Sequence, residues 1–488
     1  MNVDPSQKRD RVSSTDRSAD GDAVAFPSPQ RAKRRIRLRL LAVVLGLSPL
    51  IFSEIGLRLA GWQAAARQDP FVGFDGLEPL FVPAEDPKHG MVTNPLKTPG
   101  FFSFQSFPLP KPAGEFRIFC LGGSTVQGRP YASETSLTAW LELSLQAGDD
   151  RTGYRVINCG GISYASYRLI PLMEEVLSYQ PDLIIVCSGH NEFLEARSYE
   201  RLGNVSRTRV QMRRILRNVR TFQFVEQWIV RDPPHPPESM PGEVDALLDY
   251  QGGLAEYHRD DNWQRDVQRH FGWNLDSLTA RCRQASVPIL FLLPVSNLVD
   301  CPPFKSERSS DLTPKQLRSF DSYRKSALNE DRSPVEQLQA MQAAVAIDPR
   351  HAAAQFQLGK LYQMLGRHNE AAGCFHEARN QDICPLRMLD SMYDLAEQRL
   401  RRESVPYLDL RTVIEDADQG RLPGDHLMVD HVHPTIHGHQ LIAVKIHEKL
   451  TAIGWIRPPQ DDLERRRNMA FQQHLATLGE PYFARGKA

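Results

Sequence analysis

The sequence carries no net charge: 59 Lys and Arg balance 59 Asp and Glu over 488 residues. A chain without an overall field has nothing to gather a polyanion, which argues against nucleic acid as a partner. Cysteine is scarce. The seven present show neither metal-ligand spacing nor the density of a disulfide framework. Cys120, Cys159 and Cys187 fall in or beside apolar runs, where buried free thiols are expected. Long apolar runs are missing too: the uncharged stretch Leu40 to Ser53 is shorter than the roughly 20 residues that span a bilayer. What remains is an ordinary globular composition, 41% hydrophobic and 24% charged, long enough for two or three domains or one domain with large insertions.

The N-terminus is the most unusual part. Residues 1–37 are polar and lack periodicity up to about Gln30, then become basic through Arg31, Lys33, Arg34, Arg35 and Arg37, so they read as a disordered basic tail. Residues 38–60 read as a signal anchor or transmembrane helix, with Glu54 and Arg58 weakening its far end. A cleavable signal with small residues at Ala64-Ala65-Ala66, and a buried or interfacial helix, are the alternatives. The anchor reading makes the protein single-pass, with its basic end cytoplasmic and the rest exported.

From Phe116 short apolar runs alternate with helical segments. Phe116–Leu121, Arg155–Cys159, Leu183–Cys187, Val287–Leu293 and Val405–Leu410 have the length and composition of buried strands. Thr135–Leu145 and Leu169–Tyr179 read as helices between them, the second stopped by Pro181. Such alternation predicts an α/β domain, residues 115–455, with a parallel sheet covered on both faces. The preceding stretch, about Gln68 to Gly114, is Pro-, Gly- and Phe-rich and reads as loops. Two insertions interrupt the core. Residues 193–281 carry a basic stretch from Arg207 to Arg220 and a Pro-rich linker, Pro233 to Pro237. Within the second, about Pro294 to Arg402, residues 335–384 resemble a tetratricopeptide pattern through Phe356, Leu358, Gly359, Tyr362, Gly366, Ala371, Phe375 and Ala378. One such repeat cannot bury its own apolar face, so it must pack on the host domain or on a protein partner. Residues 456–488 read as a helical tail.

Three turns follow the first three predicted strands. Gly122-Gly123-Ser124 follows the first, a block from Asn158 to Ser166 the second, and Gly189-His190-Asn191-Glu192 the third. All would lie at carboxyl strand ends, where open α/β sheets bind ligands. Far along the chain Asp430 and His433 are spaced so that one loop presents both to a common point. A serine hydroxyl needs a base to become a nucleophile, and the base needs an orienting carboxylate. The Gly-x-Ser-x-Gly elbow of α/β-hydrolases does not fit, because Val126 stands where its second glycine would be.

Together the blocks resemble the SGNH (GDSL-type) hydrolase family. The resemblance covers Phe116 to about Arg197, Val287–Val295 and Val405–Lys445, and it implies a flavodoxin-like three-layer α/β/α fold. It implies Ser124 as nucleophile, His433 as base and Asp430 as its orienter. The oxyanion hole would comprise the Ser124 amide, the Ser163 amide and the Asn191 side chain. Two departures stand out: Ser163 replaces the family's second-block glycine, and Gly123 replaces its usual first-block aspartate. The implied chemistry is two-step acyl transfer from an ester on a cell-surface carbohydrate or lipid, without a cofactor. Two rival readings stay open. His431, His433, His437 and His439, with Asp430 and His190, could hold a metal; alternatively the fold could be a non-catalytic scaffold presenting its helical repeat.

Overall fold

The computed structural model describes residues 38, 45–46, 48–50, 52–59, 78–86, 90–97, 101–195, 221 and 253–487. The polar tail 1–37, the small residues at 64–66, the basic stretch 207–220 and the Pro-rich linker 233–237 lie outside the described residues. The chain divides into two compact units, Met1–Ala65 with Ser206–Pro233, and Ala66–Val205 with Pro234–Ala488. In the first, residues 52–59 are helical, and Glu54 accepts hydrogen bonds from the Thr221 amide and hydroxyl. No helix among the described residues is long and apolar enough to cross a membrane. Part of the anchor expected at 38–60 falls outside them.

The second unit is built on a five-stranded parallel sheet of β4 (Glu115–Gly122), β5 (Gly153–Gly160), β6 (Leu183–Cys187), β7 (Ile289–Leu293) and β8 (Tyr407–Asp409), following three short strands described below. Its spatial order is β5-β4-β6-β7-β8, every neighbour parallel. That is second-first-third-fourth-fifth, the flavodoxin-like doubly wound order, with its switch point beside β4. All five strands lie at or within two residues of the positions read from the apolar runs. Side chains divide by the two-residue period of a strand. In β6, Leu183, Ile185 and Cys187 enter one core, while Ile184 and Val186 enter the other. Both faces are therefore dry and need helices.

One face is covered by α2 (Leu137–Gly148), α10 (Leu410–Ala417), α11 (Ile436–Ala452) and α12 (Leu463–Ala476). The C-terminal tail is thus part of the domain: Phe471 of α12 lies 4.7 Å, centroid to centroid, from the ring of buried Trp140 on α2. The other face is covered by α3 (Leu169–Val176), α4 (Asp261–Ala285) and α9 (Asp390–Arg402). Here the structure redraws the inserted segments. The last part of each, α4 in one and α9 in the other, buries an apolar stripe on the sheet, through Phe271, Leu275 and Leu278, and through Met392, Tyr393 and Leu400. They are the crossover helices leading into β7 and β8.

Between β7 and α9 stand two helical hairpins: α5 (Pro314–Ala327) with α6 (Pro334–Ile347), and α7 (Ala352–Met364) with α8 (His368–Asn380). Thr313 with Gln316, and Ser333 with Glu336, close reciprocal capping boxes with proline at the first helical position, so α5 and α6 have locally encoded starts. Gly359 lets α7 meet α8 closely; a Cβ there would sit 2.7 Å from the Phe375 ring. The hairpins bury their apolar faces against one another and against Leu298 and Val299 of the host domain.

The lead-in before β4 is not all loop. Phe81–Pro83 (β1), Met91–Thr93 (β2) and Ser106–Phe107 (β3) form an antiparallel sheet. These strands are too short for a two-residue period to show in the sequence. Their anchor is aromatic: Phe107 lies 4.9 Å from Phe81, 5.5 Å from Phe119 and 5.4 Å from Tyr179, centroid to centroid. Glu175 of α3 accepts the amides of Leu80 and Phe81 at 2.8 Å each. Removing the shared ring by Phe107→Ala should cost about 3–5 kcal/mol in urea unfolding. A loss below about 1 kcal/mol would mean that this sheet does not share the core's stability.

Candidate active site

β4 ends at Gly122, and Ser124 opens a four-residue helical turn, α1 (Ser124–Gln127), at the carboxyl edge of the sheet beside the switch point. The sheet also delivers the other two turns there: Ser163 follows β5 and Asn191 follows β6. Asn158, at the end of β5, braces α1 by donating from Nδ2 to Val126 O at 2.8 Å.

Asp430 and His433 come from the loop before α11, folded back on itself by hydrogen bonds from Val429 N to His433 O (2.8 Å) and from Thr435 N to Leu427 O (2.9 Å). His433 Nε2 lies 2.7 Å from Ser124 Oγ, 309 positions away in sequence. Its Nδ1 lies 2.6 Å from Asp430 Oδ2. With the Nδ1 proton directed at the carboxylate, Nε2 is free to accept the serine hydroxyl. Asp430 Oδ1 accepts the amides of Val432 and His433, each at 2.9 Å, so the carboxylate also shapes its own loop. Burial works against ionising Asp430. The hydrogen bond and charge of His433 and the Val432 amide outweigh it, holding the carboxyl well below the usual carboxylate range.

Sequence reasoning missed Thr125. Its hydroxyl donates to Val432 O at 3.2 Å, tying the serine turn to the histidine loop directly. A hydroxyl beside a serine in a turn gives no signal until the distant loop is in place.

Asn191 Nδ2 donates to Tyr164 O at 3.1 Å, which orients the amide and leaves its second hydrogen for another acceptor. The same nitrogen explains Gly123: a Cβ at that position would stand 2.5 Å from it. Ser163 takes a left-handed backbone, φ 60°, a conformation that costs a non-glycine residue about 1–2 kcal/mol. The turn thus has a geometry suited to glycine, the residue that the sequence resemblance leads one to expect at this position. Behind it, buried Glu192 accepts the Ser166 amide (2.9 Å) and hydroxyl (2.7 Å), and Asn274 of α4 donates to the same hydroxyl (2.9 Å).

The histidines lie near one another, His431 and His433 with ring centroids 6.0 Å apart, without forming a ligand set. Among the described residues no group of three or more His, Cys, Asp or Glu is arranged to hold a metal ion. His190 spends both ring nitrogens on the backbone, accepting from Met388 N and donating to Val295 O, each at 3.1 Å. His431 packs edge-on against Phe304, centroids 5.0 Å apart. His439 is fully buried on α11, and neither ring nitrogen has a hydrogen-bond partner.

No family model and no curated protein matches the chain. Among solved structures it is similar to an acetyl xylan esterase, at 12% identity over 69% of this chain and 100% of that one, TM-score 0.31. It is similar to a member of the lipolytic G-D-S-L family from Veillonella parvula, at 10% identity over 69% and 98%, TM-score 0.29. A two-domain esterase active on acetylated mannans aligns at 13% identity over 71% and 52%, TM-score 0.31. At these scores the likeness decides neither family nor activity, and the chemistry has to be read from the geometry of the site.

Burial pushes His190 and His439 down to about 3, and His431 and His447 to about 4. Each folded value lies below that of an unfolded histidine, about 6.5, so the unfolded chain takes up protons first as pH falls. The contribution of these histidines to stability should be full above that value and decline towards pH 4, each site contributing up to about 1.4 kcal/mol per pH unit. Urea unfolding of wild type and His439→Leu at pH 7.5, 6 and 5 checks this. The variant should lose less stability on acidification, and parallel losses would contradict the assignment.

Proposed function

We propose that the chain is a serine-dependent ester hydrolase of the SGNH type. The observation carrying this reading is the unbroken relay from Ser124 Oγ through His433 to Asp430, with heavy-atom separations of 2.7 and 2.6 Å. Nucleophile, base and orienter come from two segments that the Thr125–Val432 contact joins, and they stand in series.

In this mechanism Ser124 Oγ attacks the ester carbonyl while His433 Nε2 takes its proton, and Asp430 stabilises the resulting imidazolium. The developing oxyanion is met by the second Nδ2 hydrogen of Asn191 and by the backbone amides of Ser124 and Ser163. His433 returns the proton to the leaving alkoxide, releasing the alcohol. Water then attacks the acyl-enzyme with His433 again as base, giving the acid and restoring Ser124; a second alcohol in place of water would give transfer.

The substrate in this proposal is an acylated carbohydrate or lipid, and the helical hairpins are tetratricopeptide-like. The tether at 38–60 rests on the basic cluster from Arg31 to Arg39 preceding the apolar run. Fractionation of cells making the full chain should leave it in alkali-washed membranes, and recovery in the soluble fraction would remove the tether from the proposal.

Hydrolysis of nitrophenyl esters of short and long acyl chains tests the chemistry. Ser124→Ala and His433→Ala should each lose at least about 10²–10⁴-fold in kcat with the fold intact. Equal rates for wild type and Ser124→Ala would end the nucleophile assignment, and the preferred chain length sizes the acyl pocket.

A further inference from the structure

We infer that Asn297 is a positioning residue for the Asp430–His433 loop; the inference rests on the hydrolase reading above. Asn297 lies in the segment after β7 and is 1% exposed. Every polar group of this residue has a partner. Its amide donates to His431 O at 2.9 Å, and its Nδ2 donates to Asp425 Oδ1 at 2.7 Å. Its Oδ1 accepts the amide of Asp300 at 2.9 Å, and its carbonyl accepts Arg387 Nη1 at 3.0 Å.

The first two contacts grip the histidine loop at its tip and near its start. His431 O is held by Asn297 and the next carbonyl, Val432 O, by Thr125, so the backbone just before His433 is clamped by two different segments. The other two contacts brace Asn297 itself. Asp300 turns back to the same loop, accepting the Asp425 amide at 3.1 Å, and is paired with Lys360 of α7 at 2.9 Å. Arg387, buried in the segment between α8 and α9, also donates to Cys301 O at 2.8 Å. The helical insertion therefore holds the residue that holds the loop.

An imidazole that must serve both Ser124 and Asp430 tolerates little displacement, since a shift of about 1 Å at a reacting group costs on the order of 10²-fold in rate. Asn297 touches neither substrate nor the reacting atoms. Its influence runs through loop position, which affects turnover more than binding.

The test exploits the direction of one hydrogen bond. Asn297→Asp sets two carboxylates face to face, whereas Asn297→Asp with Asp425→Asn exchanges donor and acceptor and restores the bond. On the best nitrophenyl ester, N297D should lower kcat about 10- to 100-fold with KM within about threefold. The double variant should recover to within about fivefold of wild type, a rescue that general destabilisation would not show. Asp425→Ala removes the acceptor at an exposed position and should lower kcat about tenfold if N297D fails to fold. Ser124→Ala is assayed alongside: an active Ser124→Ala refutes the hydrolase reading itself. Loss of activity in Ser124→Ala with wild-type kcat in N297D or D425A refutes only the role of Asn297, as does a folded N297D that Asp425→Asn fails to rescue.

Discussion

The hydrogen bond between Ser124 and His433 is the constraint that the rest of the second unit satisfies. It joins positions 309 residues apart to within 2.7 Å, and neither partner's own segment can supply the precision. A parallel sheet solves half of this. Its strands all deliver their following turns to one edge, so Ser124, Ser163 and Asn191 are brought together by topology. The histidine loop follows no strand directly and needs separate fixing. Its supports include the Asp430 carboxylate inside the loop, Thr125 on the serine turn, and Asn297 after β7.

The electrostatics follow from the same arrangement. Asp430 is held ionised against its burial by the groups it orients, so removing His433 would also change Asp430. His190, His439 and His447 make no contact with Asp430, whereas His431 Nδ1 lies 3.5 Å from its Oδ1. His190 is kept neutral by burial, one nitrogen accepting and one donating, which suits a residue that fixes the Asn191 turn against Met388 and Val295. The Asp430–His433 pair is the one that reaches Ser124.

Much of this was legible in the sequence because buried parallel strands are written as short uninterrupted apolar runs, and all five core strands lie within two residues of those runs. Ser124, Asp430 and His433 were legible because chemistry restricts their residue types. Other features left no mark. The strands β1 to β3 are two or three residues long, below the length at which alternation can be seen. Helices α4 and α9 follow long inserted segments, and only their burial against the sheet assigns them to the core. Thr125 acts through a backbone carbonyl of a distant loop, and Asn297 through another carbonyl and the Asp425 carboxylate, contacts that spacing cannot encode.

The place of the helical insertion is explained by the entropy of loops and the geometry of the sheet. Closing a longer loop costs little, about 0.6 kcal/mol for each doubling of its length, so a connection between β7 and α9 can absorb two hairpins without threatening the core. That connection leaves the sheet at its carboxyl edge, where the site lies, and so the insertion cannot be remote from it. Both ends of the inserted segment are used: Asn297 and Asp300 near the start meet the histidine loop, while Arg387 near the end meets Asn297. Asp382 accepts the amides of Phe304 and Lys305, fixing the ring that packs on His431. An insertion wired in this way is part of the scaffold of the site. Its hairpins could be exchanged for others only if these contacts at its two ends were preserved.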